Sequence, residues 1–288
     1  VRPADLARAT GAALAVARSV GLSADDAVVL HDSNKVALRL TPCEVLARVG
    51  EAAGHGTALE LDRALALRDA GCPVGDVLPD LDPVVRTHDG FAVTLWVYYP
   101  PAAPELTPSA YADALARLHA GMRTLALPVP RWTDRVGEAL TVIESPAESP
   151  ALTDDDRTFL AGRMARLRAA VEQRGAPEQL LHGEPHRGNV LRTADGPRFI
   201  DFETLCVGPV AFDLAHVPDA ACAHYPGLDP SLLAHCRQLV LAVVAAWRWQ
   251  RGDAFPDRER WAHTFVRTLR QGPPWPSLDA LTRSLARD

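Results

Sequence analysis

The sequence predicts a mixed α/β (α+β) chain of two lobes, a small antiparallel sheet followed by a mostly helical lobe. Three observations point there. Ahead of Pro100, short apolar runs alternate with turn residues, the pattern of consecutive strands. The run Pro100-Pro101-Ala102-Ala103-Pro104 is a stiff linker and the natural boundary, separating an N-lobe of 1–99 from a C-lobe of 100–288. Beyond it, apolar residues recur at helical spacing over long stretches.

Bulk properties set the class. A chain of 288 residues buries a large core, as one big domain or two lobes. Its 48% hydrophobic and 23% charged content is ordinary for a soluble globular enzyme. A formal charge of −6 argues against a general nucleic-acid partner and is compatible with a cationic substrate. The five cysteines are scattered and form no Cys-x-x-Cys pair, which fits a reduced cytoplasm better than a disulfide framework. No apolar run is expected to reach membrane-spanning length, and no signal-peptide core opens the sequence, so no membrane partner is expected.

The elements follow in order. Leu6 to Val20 has helical apolar spacing and stops at Gly21. Ala27 to Leu30, Lys35 to Leu40 and Glu44 to Val49 read as three antiparallel strands, broken at His31-Asp32-Ser33-Asn34 and Thr41-Pro42-Cys43. Leu59 to Ala70 is a helix stopped by Gly71 and Pro73, with Glu60 in its first turn. Leu81 to Val85 and Phe91 to Val97 read as two more strands, turned at Asp89-Gly90. Ser109 caps a helix to Met122. Pro128 to Pro150 is proline-rich and reads as irregular. Thr153 caps an acidic first turn whose helix runs to about Gln173. Ala211 to Ala223, Ser231 to Arg251, Arg258 to Arg270 and Leu278 to Arg287 complete the helices.

The most informative stretch is Leu180 to Asp213. Val190-Leu191 and Arg198 to Phe202 read as a strand pair turned at Asp195-Gly196. Such a hairpin brings its flanks together, Asn189 ahead of the first strand and Asp201 at the end of the second. An amide oxygen and a carboxylate suit Mg2+, a hard cation that takes oxygen ligands. Glu184 and His186 lie on the loop just before, where Gly183 and Gly188 permit a tight backbone.

The motifs are His182-Gly183-Glu184-Pro185-His186-Arg187-Gly188-Asn189, then Ile200-Asp201-Phe202-Glu203, Gly208-Pro209 and Asp213-Leu214-Ala215. In order and spacing this stretch resembles the catalytic segment of the aminoglycoside phosphotransferase family, the small-molecule branch of the protein-kinase-like fold. The resemblance implies that fold, with a small antiparallel-sheet N-lobe and a mostly helical C-lobe. It implies ATP or GTP as phosphoryl donor, Mg2+, and a small hydroxylated acceptor: an aminoglycoside or other antibiotic, a sugar, a nucleoside or an amino alcohol. A monomer or homodimer is expected.

Site residues follow from the same resemblance. Glu184 stands where the family has its catalytic aspartate. Asn189 and Asp201 are the catalytic metal ligands. The turn Ser33-Asn34 takes the nucleotide-loop position without being glycine-rich. Arg48, on the third strand ahead of the helix with Glu60, takes the place of the family's lysine, and Glu60 orients it. Arg39 sits in a competing register, Val36-Ala37-Leu38-Arg39. The hinge at Trp96 to Tyr99 offers backbone groups at Trp96 and Val97 to adenine, with the Trp96, Tyr98 and Tyr99 rings read as packing. His182 and Asp213 brace the loop, and His119 reads as structural.

Two other readings compete. Glu184 for Asp and Arg48 for Lys are changes at geometry-sensitive positions, so a degenerate kinase that binds nucleotide or a partner without turnover is one alternative. A metallohydrolase using His182, Glu184 and His186 is another. Against it, Gly183 and Pro185 interrupt the helix that a zinc pattern of that kind requires.

Overall fold

A computed structural model describes residues 3–32, 35–54, 56–101 and 105–285. In chain order it contains α1 (Pro3–Ser19), β1 (Ala24–Asp32), β2 (Val36–Pro42), β3 (Val45–Glu51), α2 (Gly56–Asp69), β4 (Arg86–His88) and β5 (Phe91–Val97). Then come α3 (Pro108–Met122), α4 (Trp132–Glu144), α5 (Asp154–Gln173), β6 (Glu178–Leu181), β7 (Val190–Thr193), β8 (Gly196–Phe199) and β9 (Cys206–Pro209). The chain ends with α6 (Val210–Leu214), α7 (Asp219–Cys222), α8 (Pro230–Trp249), α9 (Arg258–Gln271) and α10 (Leu278–Leu285). Two compact units form: Val1–Glu105 with Val190–Glu203, and Leu106–Asn189 with Thr204–Asp288.

The first unit is built on a five-stranded sheet of order β1-β2-β3-β5-β4, with every pairing antiparallel. Alternation along the strands gives it two chemically different faces. Val36, Leu38 and Leu40 of β2, Val45, Ala47 and Val49 of β3, and Val93 and Leu95 of β5 are buried. They pack with Ala9, Ala12, Ala13, Val16 and Ala17 of α1. The opposite face carries Ala37, Arg39, Leu46 and Arg48. Ala37 pairs across from Arg48, and Arg48 from Thr94.

The hairpin β7–β8 clusters with this sheet, although the boundary expected at Pro100 leaves it in the later lobe. Local bonds explain the affiliation. Gly75 N donates to Phe199 O at 3.0 Å and Phe199 N to Pro73 O at 2.8 Å. Arg198 donates to Val74 O at 3.0 Å and pairs with Asp76 at 2.8 Å. Arg63 of α2 donates to Phe202 O and Glu203 O, both at 2.8 Å.

The second unit is helical around α8, whose Leu232, Leu233, Leu239, Leu241 and Ala245 are buried. This helix has the length and composition of a membrane span, against the expectation that no apolar run reaches that length. Of its most apolar window, 61% is buried inside the protein, as in a core helix. A two-stranded ribbon, β6 with β9, packs against α3, α4 and α6.

Several expectations are corrected here. Pro128 to Pro150 is not irregular throughout: its prolines bracket α4, which buries Trp132, Val136, Ala139, Val142 and Ile143 on one face. Arg131 N donates to Asp134 Oδ2 at 2.8 Å at its start. The cap of α3 is Thr107, accepting from Ala110 N at 3.2 Å, with Pro108 in the first turn, rather than Ser109. Leu81 to Val85 is not a strand; Pro83 lies within it, and pairing begins at Arg86. Ala211 to Ala223 divides into α6 and α7, with Pro218 between them. The four-residue strands β6 and β9 escape a search for longer alternation.

Candidate active site

In the first unit, Glu60 organises the side of the sheet that carries Arg48. It is the fifth residue of α2, which begins three residues before the expected Leu59. Its side chain is 3% exposed, and Arg48 Nη1 lies 2.7 Å from Oε1. Lys35 Nζ lies 2.7 Å from Oε2. Burial pushes the Glu60 carboxyl above its ordinary range, against the pull of Arg48 and Lys35. The competing Arg39 is spent elsewhere: it pairs with Glu44 at 2.8 Å and stacks over Tyr98 at 4.9 Å, with both members of the pair exposed.

Arg48 and Glu60 line a cavity with Leu46, Trp96, Leu191, Ile200 and Asp201. Most of its wall is apolar, and the charged groups arrive together. Asp201 has φ of +69°, a left-handed conformation that costs a non-glycine residue about 1 kcal/mol or more. Such strain persists where surrounding structure over-determines it. Trp96 is buried, its Nε1 donating to Thr94 Oγ1 at 2.8 Å. Val97 lines the same cavity, but its N–H is already donated to Asp76 O at 2.9 Å. Ser33 and Asn34 lie outside the described residues.

In the second unit, one buried carboxylate holds the loop that follows β6. Asp213 is fully buried; its Oδ2 accepts from His182 N at 2.9 Å and its Oδ1 from Gly183 N at 2.8 Å. His119 Nε2 completes the set, donating to Oδ2 at 2.9 Å, while its Nδ1 meets Tyr225 OH at 2.7 Å. Burial alone would raise the Asp213 carboxyl, but His119 and the His182 backbone hold it below the ordinary range. Gly183 has φ of +87°, and a Cβ there would stand 2.0 Å from Thr204 O, so no other residue fits. Tyr111 OH donates to Pro185 O at 2.5 Å, and Asn189 Nδ2 to Glu184 O at 3.0 Å. The loop closes with a 3-10 turn at Arg187–Asn189.

Glu184 is therefore fixed by its backbone. Its side chain, 28% exposed, is ion-paired with Arg135 of α4. Burial works to raise its carboxyl, but Arg135, with His216, His186 and His182, holds it below the ordinary carboxylate range. His216 beside it is buried and pushed down to about 4 by desolvation, so it is neutral at physiological pH. Among the described residues no group of three or more His, Cys, Asp or Glu converges as a metal site, so His182, Glu184 and His186 do not form a zinc-like cluster.

The structure thus gathers Arg48, Glu60, Trp96, Val97 and Asp201 around one cavity, and Glu184 and Asn189 on one braced loop. Sequence reasoning missed Lys35 and Arg135. Lys35 carries a legible signal, being the only lysine among 30 Lys and Arg residues. Arg135 carries none, because the prolines on either side of its helix make the stretch read as irregular.

A family model described as phosphotransferase enzyme family matches residues 33–254. No curated protein matches the sequence. Among solved structures, the chain is similar to an amicoumacin kinase in complex with AMP-PNP, Ca2+ and Ami, at 14% identity and TM-score 0.68, covering 95% of this chain and 97% of that one. A choline/ethanolamine kinase family protein from Mesorhizobium loti is similar at 18% identity and TM-score 0.66, with 94% and 96% covered. A spectinomycin phosphotransferase in complex with ADP and spectinomycin is similar at 12% identity and TM-score 0.61, with 90% and 98% covered. At these identities the likeness is one of fold, and the fold is protein-kinase-like.

Proposed function

The chain belongs to the phosphotransferase enzyme family of small-molecule kinases, and on that premise we propose that it transfers the γ-phosphoryl group of ATP or GTP to a hydroxyl of a small molecule. The observation that carries this reading is the convergence of Arg48, Glu60 and Asp201 on one mostly apolar cavity, which Asp76 and Tyr99 also border. An apolar wall suits a purine, and a guanidinium set by a buried carboxylate suits phosphate oxygens.

Each residue has a proposed role. Arg48 binds nucleotide phosphates and Glu60 orients it. Trp96 and Val97 border the purine. With its N–H engaged, Val97 contributes wall rather than an amide donor. Ser33-Asn34 keeps the nucleotide-loop position that the family pattern implies. Glu184 accepts the hydrogen bond of the acceptor hydroxyl. Its depressed affinity for protons keeps it ionised, which favours orienting the nucleophile over early proton removal. Phosphoryl transfer through a loose transition state asks chiefly for such positioning.

Asn189 and Asp201 are the proposed ligands of a divalent cation, Mg2+. The donor set fits: one carboxylate, and an amide whose Nδ2 is engaged by Glu184 O, leaving Oδ1 to ligate. When bound, the cation supplies charge neutralisation at the phosphate oxygens. The acceptor is proposed to meet Glu184 on the second unit, whose helices give it its shape.

The test is a panel of hydroxylated compounds, aminoglycosides, other antibiotics, sugars, nucleosides and amino alcohols, with nucleotide and Mg2+. A mass gain of one phosphoryl group on an acceptor is expected. Nucleotide binding with no transfer across the panel overturns the enzymatic reading in favour of a binding protein.

A further inference from the structure

We propose that Lys35 is a second phosphate-binding cation for the nucleotide, acting from the residue just ahead of the neighbouring strand, beside Arg48. The proposal rests on the kinase reading above. Nothing in the family pattern of the sequence pointed to it; the side-chain geometry does.

Lys35 stands one residue ahead of β2. Val36 pairs with Val49 and Ala37 with Arg48. Strand alternation therefore puts Lys35 on the face of Ala37 and Arg48, away from α1. Both cations meet one carboxylate. Glu60 Oε1 accepts from Arg48 and Oε2 from Lys35, each at 2.7 Å. A single negative charge, buried on α2, thus sets two positive charges, and one of them is left for a second anion.

That second anion is Glu203, which ion-pairs with Lys35. The two carboxylates differ in exposure: the Glu203 side chain is 32% exposed and that of Glu60 is 3%. Lys35 Nζ also donates to Gly56 O at 3.1 Å. Glu60 and Gly56 O hold the ammonium in place, and Glu203 occupies the side that a phosphate oxygen would take like for like.

The surroundings give room for a polyphosphate. Lys35 and Glu203 line a cavity of about 700 Å³ with Gly50, Gly54, Gly56 and Thr57; it reaches round the sheet end to Arg8 and Ala9 of α1 and to Asp89, and Lys35 stands at its α2 side. A Cβ at Gly56 would come within 3.3 Å of Glu203 Oε1 and 3.9 Å of Lys35 Nζ, and one at Gly50 within 3.6 Å of Lys35 Cγ. The residue type also fits. A compact ammonium with three freely directed donors serves three acceptors in a tight corner, where a planar guanidinium would not. A chain that otherwise uses only arginine keeps its lysine here. The nucleotide then runs from the apolar cavity past Arg48 to Lys35, with Glu60 between the two cations.

Because Lys35 is the only side-chain amine, a nucleotide acyl phosphate tests the placement on the full chain. The ε-amine attacks the acyl carbon, an amide C–N bond forms, the acyl C–O bond to the terminal phosphate breaks, and the nucleotide leaves as its phosphate while the amine proton passes to solvent. Peptide mapping should find the acyl group on Lys35, suppressed by Mg2+ and a non-hydrolysable triphosphate. The same acyl group on inorganic phosphate should react at least about tenfold more slowly, lacking the nucleotide's delivery. Separately, Lys35→Ala should weaken triphosphate binding about thirtyfold, the loss of one charge-assisted contact, and leave adenosine binding unchanged. Thermal melting reports that the variant is folded. Unsuppressed or absent labelling of Lys35, or parent-like triphosphate affinity in folded Lys35→Ala, overturns the assignment and leaves the kinase reading standing. A parent protein that binds no nucleotide overturns both.

Discussion

Arg135 of α4 is ion-paired with Glu184 of the loop that follows β6. The carboxylate proposed to orient the acceptor is thus neither free nor merely one methylene longer than aspartate. It reaches a guanidinium presented by a neighbouring helix. Glu184→Ala and Glu184→Gln should lower phosphoryl transfer about 100-fold or more while nucleotide still binds. Glu184→Asp should retain part of the rate, since the shorter side chain displaces the carboxylate by about one carbon–carbon bond. Acceptor phosphorylation at saturating nucleotide, with binding measured separately, decides the matter. Parent-like turnover in Glu184→Ala places the role elsewhere.

The same pair predicts a pH effect. Arg135 favours the charged form of Glu184, so removing it raises the carboxyl's pKa. Activity that needs ionised Glu184 falls as pH drops through that pKa. The acid limb of the Arg135→Ala rate profile should therefore lie at higher pH than the parent's. Superimposable acid limbs would show that the pair does not tune the reaction.

Arg48 should matter more for phosphates than for base. Loss of one charge-assisted contact in Arg48→Ala is worth about 2 kcal/mol, roughly thirtyfold in triphosphate Kd. Adenosine binding should hardly change. Arg39→Ala, which breaks an exposed pair with Glu44 and a stack over Tyr98, should leave both affinities near the parent's. Calorimetry with both ligands separates the two arginines, and a larger effect at Arg39 reverses the assignment.

Asp201→Ala should abolish Mg2+-dependent turnover in a folded protein. Alanine also tolerates the left-handed backbone poorly, so Asp201→Asn serves as the companion variant. It should require markedly more Mg2+ for half-maximal rate. A parent-like Mg2+ titration in Asp201→Asn counts against metal ligation.

Acid should destabilise the protein through His216. Its pKa, about 4 when folded, lies below the ordinary value of 6.5. The unfolded chain then binds the proton more readily, so stability is full above about 6.5 and falls as pH drops towards 4. At pH 5 the loss from this residue is about 2 kcal/mol. Urea unfolding at pH 7 and pH 5 should show this loss in the parent and a smaller one in His216→Gln.

The sequence by itself determined a great deal. Motif spacing from His182 to Ala215 was enough to name the family and the expected roles of Glu184, Asn189 and Asp201. Arg48 and Glu60 were placed by the order strand then helix, and strand alternation made the sheet legible. These signals are local: a turn residue, a period of two, a cap. Only the tertiary structure decided what surrounds them. Proline density at Pro128 to Pro150 hid α4, and with it Arg135, because flanking prolines resemble interior breakers until the helix between them is seen. The hairpin's membership of the first unit rests on bonds from Arg198 and Phe199 to residues more than a hundred positions earlier. Glu60's second cation, Lys35, lies just ahead of β2 while the first is on β3, and a pairing of both with α2 leaves no periodic mark in the chain. Charge partners are set by distance in space, and sequence spacing reports that distance only within one element.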